Sequence, residues 1–314
     1  MRAGKIAAGV LLALVAVTGV GLALNWAPDR PVDTLTARWA PPPSQFVPLQ
    51  GMQVHLCDEG PRTDPQPIVL LHGTSASLHT WDGWAAALKG QRRVIRMDLP
   101  GFGLTGPMPD GDYRLTRYVN FVIALLDQLG VQQAVLAGNS FGGNLAWKIA
   151  VDHPQRVSKL VLVDAAGYPF DPASMPIGFK IAQIPALRPM MEHTLPRSMI
   201  ESSVRNVYGD PSKVTPELVD RYQELTLRSG NRSALVERFR QSPSGEFTAQ
   251  IPQVRQPTLI LWGAQDRLIP PDNALRFQRD IAGSRLVMFD ALGHVPHEED
   301  PEQTVAAVQA FLVP

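Results

Sequence analysis

Apolar and polar positions divide the 314-residue chain into three regimes. In the first, Ile6 to Trp26 runs almost without a polar residue, broken only by Thr18 and Asn25. That is about the ~20 residues a helix needs to cross a ~30 Å hydrocarbon core. A secretory signal peptide has a shorter apolar region, roughly 7–15 residues, and a small-residue cleavage site. The best such site is a poor one, Gly21-Leu22-Ala23. Residues 1–26 are therefore read as an uncleaved membrane anchor, with a removed signal peptide as the alternative. Arg2 and Lys5 keep the N-terminus cytoplasmic and place the rest of the chain on the outer, periplasmic side of the membrane. Trp26 then sits at the outer interface. Gly9/Ala13 and Gly19/Ala23 are small residues four apart, a weak pattern for packing two anchors as a homodimer. Residues 27–45 are rich in Pro, ending near Ala40-Pro41-Pro42-Pro43, and read as a semi-rigid linker.

In the second regime, short apolar runs alternate with helical periodicity. Phe46–Leu49 and Met52–Cys57, joined at Gln50-Gly51, predict a β-hairpin. Pro67–Leu71, Arg93–Met97, Gln133–Leu136, Lys159–Val163, Thr258–Trp262 and Leu286–Phe289 predict further strands. Between them, Trp81–Leu88, Arg114–Leu129, Asn144–Val151 and Asp272–Ile281 predict helices. A last helix starts at the N-cap pair Asp300-Pro301 and runs to Leu312. Apolar strands alternating with helices imply an α/β fold with a mostly parallel sheet covered on both faces, built from 46–167 and 251–314.

The third regime, 168–250, carries only helical and loop signals. It has Pro, Met and Leu in its first half, then charged helical segments at Glu217–Thr226 and Ala234–Phe239. Inserted where it is, it would lie over the C-terminal edge of the sheet as a helical cap. A separate helical domain is the other reading.

Charge adds an exclusion. Lys plus Arg and Asp plus Glu both number 29, with no basic cluster, which argues against nucleic acid as a partner. Cys57 is the one cysteine, so no intramolecular disulfide forms, and it reads as a buried strand thiol.

The candidate chemistry centres on Gly138-Asn139-Ser140-Phe141-Gly142-Gly143, with an apolar run before it and a helical one after. Strand, Gly-x-Ser-x-Gly, helix is the setting of a nucleophile elbow, a turn so tight that its backbone is strained and its flanking residues must be small. A serine hydroxyl needs a base within hydrogen-bond reach, itself oriented by a carboxylate. Among seven histidines, His294 follows a Gly at the C-terminal end of the last strand and is favoured as base. His297, nearer the final helix, is the competitor and is read as packing or bonding locally. Asp266, in Gly263-Ala264-Gln265-Asp266 after the penultimate strand, is the favoured acid; Asp164 competes from the neighbouring strand. An oxyanion needs preorganised N–H donors, each worth roughly 2.7–4 kcal/mol. Phe141, next to the nucleophile, and Thr74, after the Leu70-Leu71 strand, are the candidates. His72 and Asp98 are read as structural.

Five segments in order then carry a resemblance. They are His72-Gly73, Asp98-Leu99-Pro100-Gly101-Phe102-Gly103, Gly138 to Gly143, Gly263 to Asp266, and Gly293-His294-Val295-Pro296-His297-Glu298. Together they resemble the capped branch of the α/β-hydrolase superfamily over Phe46 to Val313. The resemblance implies an eight-stranded sheet, the triad Ser140, Asp266 and His294, and no cofactor or metal. Ser140 argues against the branch members with an Asp nucleophile. With its anchor and cap the chain is similar to bacterial membrane-bound esterases and phospholipases A, which implies an ester or acyl-lipid substrate. Met175–Phe179 and Ile181–Met191 offer side chains for an acyl pocket or for ordinary cap packing. The alternative is a carbon–carbon bond hydrolase, whose elbow is also similar, or a perhydrolase. A silent membrane-tethered binding protein is the non-enzymatic rival.

Overall fold

A computed structural model of the chain describes residues 21, 23 and 25–313. Eight strands, among the described residues, form one sheet: β1 (Gln45–Leu49), β2 (Met52–Glu59), β3 (Ile68–Leu71), β4 (Val94–Met97), β5 (Ala134–Asn139), β6 (Val157–Val163), β7 (Thr258–Gly263) and β8 (Arg285–Phe289). Their order is β1-β2-β4-β3-β5-β6-β7-β8. β1 and β2 form the predicted hairpin, with Gln50 and Gly51 both at positive φ, as a tight two-residue turn requires. β2 also runs antiparallel to β4, and every other pairing is parallel.

The central strands are apolar throughout because both faces are covered, and alternate residues feed two cores. Val69, Leu71, Leu136, Leu160, Leu162, Ile260 and Trp262 pack on one side. Ile68, Leu70, Val135, Ala137, Val161, Val163, Leu259 and Leu261 pack on the other with Trp81 and Trp84. This is the period-2 alternation of a strand resolved into two buried faces.

Asp33–Trp39 (α1) precedes the sheet, and Asp82–Leu88 (α2), Leu115–Gln128 (α3) and Phe141–Asp152 (α4) cross over between its strands. α3 buries Leu115, Tyr118, Val119, Val122, Leu125 and Leu126, the i, i+3, i+4 stripe of an amphipathic helix.

Between β6 and β7 the chain leaves the sheet and forms the cap: α5 (Ile177–Ala182), α6 (Arg188–His193), α7 (Arg197–Val207), α8 (Pro216–Thr226) and α9 (Asn231–Gln241). Thr215 caps α8 by accepting from the Leu218 N–H, with Pro216 at its first position. The core closes with α10 (Asp272–Asp280), α11 (Pro296–Glu299) and α12 (Pro301–Leu312). Asp300 caps α12 by accepting from the Gln303 N–H.

Asp98, after β4, ties three segments together. Its Oδ1 accepts from the Leu78 N–H at 2.7 Å, and its Oδ2 accepts from the Leu104 N–H at 2.7 Å and meets His55 Nδ1 at 2.7 Å. Burial pushes this carboxyl up, but His55 and the neighbouring His79 and His72 outweigh it and hold the group well below the usual range.

The apolar run assigned to the anchor lies outside the described residues except for Gly21, Ala23, Asn25 and Trp26. Among the described residues, no helix is long and apolar enough to cross a membrane. The Pro-rich stretch that follows lies on the cap instead of standing clear as a spacer. Leu35 of α1 is buried against Leu104 and Leu225, and Trp39 Nε1 donates to Glu224 Oε2 at 2.6 Å. Upstream, the Ala27 N–H donates to the His193 carbonyl at 2.9 Å, and the Trp26 and His193 rings stack at 5.1 Å.

Candidate active site

Ser140 stands between β5 and α4 with φ 54° and ψ −117°, a left-handed backbone that a non-glycine residue adopts only under strain. What forces the turn is the closeness of β5 and α4 to each other and to β3. A Cβ on Gly138 would lie 2.2 Å from the Gly142 carbonyl oxygen, and one on Gly142 would lie 2.1 Å from that of Leu71. Only glycine lets three backbones meet there.

Beside Ser140 are two backbone amides that donate to nothing among the described residues, those of Phe141 and Thr74. Thr74 is brought there by His72. Its Nδ1 lies 2.7 Å from the Gly73 carbonyl and its Nε2 accepts from the Leu99 N–H at 2.9 Å, which pins the loop after β3. His72 is thus occupied structurally, as expected, and burial holds its pKa low.

His294 enters from the loop after β8. Its Nδ1 lies 2.7 Å from Asp266 Oδ2, while Asp266 Oδ1 accepts from the Leu268 and Ile269 amides at 2.8 and 3.0 Å. The carboxylate is aimed by its own loop, and the imidazole by the carboxylate. The His294 backbone is held at both ends: its carbonyl accepts from Asn139 Nδ2 at 2.9 Å and its N–H donates to Val207 at 2.7 Å. Glu299 completes the support, its Oε2 accepting from the Gly293 and Gly209 amides at 2.9 Å each. Ser140, Thr74, Phe141 and His294 all line one cavity, with Asp266 behind the imidazole.

The competitors take other places. His297 is fully buried, its Nε2 3.0 Å from Thr80 Oγ1 and its ring 4.0 Å from that of Trp81. Burial, with His294 nearby, keeps it neutral. Its partner is thus a remote one, not a local one. Asp164 follows β6 directly with φ 44°, and its Oδ1 accepts from the Gly263 N–H at 3.0 Å. An oxygen of Asp164, an oxygen of Asp266 and a ring nitrogen of His294 lie within 4.8 Å of one another. Two carboxyls that close do not both ionise in a buried site. Burial, then the charge of Asp266, pushes the Asp164 carboxyl well above the usual range. Three such donors have the composition of a metal site. However, the His294 nitrogen bonded to Asp266 has the geometry of a hydrogen-bonded acid–imidazole pair.

Above the site the cap closes a cavity of ≈ 230 Å³. Met175, Phe179, Ile181, Met190, Met191 and Met199 line it, so the first half of the cap faces the cavity as well as the core. Two arginines of α9, Arg232 and Arg238, also line it. Sequence reasoning missed both, because a helix carrying Arg at 232, 238 and 240 reads as a solvated face.

A hydrolase fold with a serine elbow beneath a cap defines the class. Residues 66–301 match the family model of the alpha/beta hydrolase fold, and the chain belongs to that family as an enzyme of the serine-hydrolase type. The 2-hydroxymuconate semialdehyde hydrolase of Pseudomonas putida is 30% identical over 270 residues, covering 83% of this chain and 91% of that protein. A meta-cleavage product hydrolase superposes with TM-score 0.72 at 27% identity, covering 85% of this chain and 97% of the other. A membrane phospholipase A, described as a bacterial virulence factor, gives TM-score 0.73 at 25% identity over 99% of this chain and 98% of its own.

Proposed function

We propose that the chain hydrolyses carboxylic esters of apolar acyl chains at a membrane surface, through an acyl-enzyme on Ser140. Ser140 Oγ attacks the ester carbonyl while His294 takes its proton, and the Thr74 and Phe141 amides receive the oxyanion. Asp266 holds the imidazole in the needed orientation. The tetrahedral centre collapses, the alcohol leaves with the proton from His294, and water then enters by the same route to release the acid and restore Ser140. The observation that carries the substrate class is the cavity wall. Apart from the reacting groups and the arginines it is mainly apolar, with Met, Phe, Ile and Leu as its large side chains and Ser, Thr and Asn between them, suited to an alkyl chain. The likeness to the phospholipase A extends over nearly the whole chain. Trp26 and Asn25 are bonded to the cap at 193–195, so an anchor ending there would set the cap against the lipid.

A second reading has its own support. Relatives at about this identity include a 2-hydroxymuconate semialdehyde hydrolase and a 2-hydroxy-6-oxo-2,4-heptadienoate hydrolase, and by sequence these favour a carbon–carbon bond hydrolase on the same triad over the ester reading. In that reaction the leaving group is a carbon that has to be protonated.

Turnover of p-nitrophenyl esters from acetyl to palmitoyl, of a phospholipid, and of a ring-cleavage dienoate decides between them. The ester reading predicts a maximum at medium or long chains with fatty acid released from the phospholipid. Hydrolysis confined to the dienoate would replace it with the second reading, and a peak at acetyl with no phospholipid turnover would remove the lipid part.

A further inference from the structure

Arg238 is a charge that nothing in the mechanism uses. It is 6% exposed, yet its side chain donates no hydrogen bond among the described residues, and its Nε is a buried donor without a partner. Its guanidinium lies instead against two aromatic rings, 4.5 Å from the centroid of Phe141 and 4.6 Å from that of Phe239. Burial pulls its pKa down to about 10, with Tyr118 acting the other way, so it is still a cation at neutral pH. A buried, unpaired charge is costly, and cation–π contacts of about 0.5–2 kcal/mol offset only part of that cost. Such a group in a folded protein calls for a counter-ion.

The position of this cation connects it to the site. Arg238 lines the cavity that holds Ser140 and packs on Phe141, the residue next to the nucleophile. Arg232 lines the same cavity; its Nη2 is paired with Asp29 Oδ1 at 2.6 Å, while its buried Nη1 has no partner.

We propose that Arg238 is an anion-binding subsite, and that the substrate carries one anionic oxygen group, a carboxylate or a phosphodiester, besides its scissile carbonyl. A guanidinium edge is the planar two-donor fork that suits either group. With the remaining wall mainly apolar, the ligand is an amphiphile with its charge near the reacting carbonyl. The inference rests on the cavity being the substrate site of Ser140, as read above.

Two measurements on the full-length chain in detergent test it, with active Ser140 titrated by a fluorophosphonate. The first compares kcat/KM for mono-p-nitrophenyl adipate and for dihexanoylphosphatidylcholine with that for neutral p-nitrophenyl hexanoate, in wild type, Arg238→Met and Arg238→Lys. At least one of the two ratios is expected to fall about tenfold or more in Arg238→Met, the scale of a charge-assisted hydrogen bond, and to recover in part in Arg238→Lys. A fall for the adipate alone identifies a carboxylate, and a fall for the phospholipid alone a phosphodiester. Ratios unchanged in Arg238→Met overturn the subsite.

The second needs no turnover: protection of Ser140 against the fluorophosphonate by adipate or a short-chain alkyl phosphodiester. Protection by at least one anion that weakens about tenfold in Arg238→Met supports the subsite even if no ester is hydrolysed, a result that would sink only the ester reading. Ester turnover with unchanged ratios and protection would sink only the subsite.

Discussion

Ser140→Ala is expected to lower kcat by about 10⁶-fold on any ester the wild type hydrolyses, and His294→Ala by a similar factor, because nucleophile and base act as one unit. Neither variant should lose the fold. The elbow is shaped by the backbone contacts of Gly138 and Gly142, and the Ser140 side chain caps nothing on α4. His297→Ala should behave in the opposite way. It removes a buried partner of Thr80 and a ring packed on Trp81, so its effect falls on stability more than on kcat. Steady-state rates beside urea midpoints check all three. A dead His297→Ala with an active His294→Ala would move the base three residues along the chain.

Asp266→Asn carries the second large effect, a fall of about 10⁴ in kcat, as when the orienting acid of such a triad is replaced by its amide. Asp164→Asn should cost far less, under about tenfold, since burial beside Asp266 already disfavours a charge on Asp164 and its amide keeps an acceptor for the Gly263 N–H. A carboxylate oxygen of each lies within 4.8 Å of a His294 ring nitrogen, so either could in principle orient it. The reverse order of rates would make Asp164 the acid and Asp266 its support.

Much of this is legible in the amino-acid sequence. Fully apolar runs such as Ile68–Leu71 could only be strands covered on both faces, and strands alternating with helices dictated the parallel sheet. The elbow was legible because its geometry demands particular residues at fixed offsets. The insertion after β6 was legible as a break in the alternation.

What escaped was long-range or ran against composition. Residues 27–45 read as a spacer because Pro dominates them, yet α1 packs on the cap through Leu35 and Trp39, contacts made with residues about 190 positions away. The partner of His297 is 217 residues distant, and no local pattern announces it. Arg238 defies the rule that charged helix positions face water. Only the unaccepted donors of a buried guanidinium, visible in three dimensions, mark it as unusual.

Hydrolysis by this route requires Ser140 to form a covalent bond with the acyl group. The most direct measurement is peptide mass spectrometry of enzyme quenched during turnover of a p-nitrophenyl ester. The predicted result is one added acyl mass on the peptide containing Ser140, absent from Ser140→Ala and most abundant in early quenches. Full ester turnover with that peptide unmodified at every time, or acylation persisting on another residue in Ser140→Ala, would contradict it.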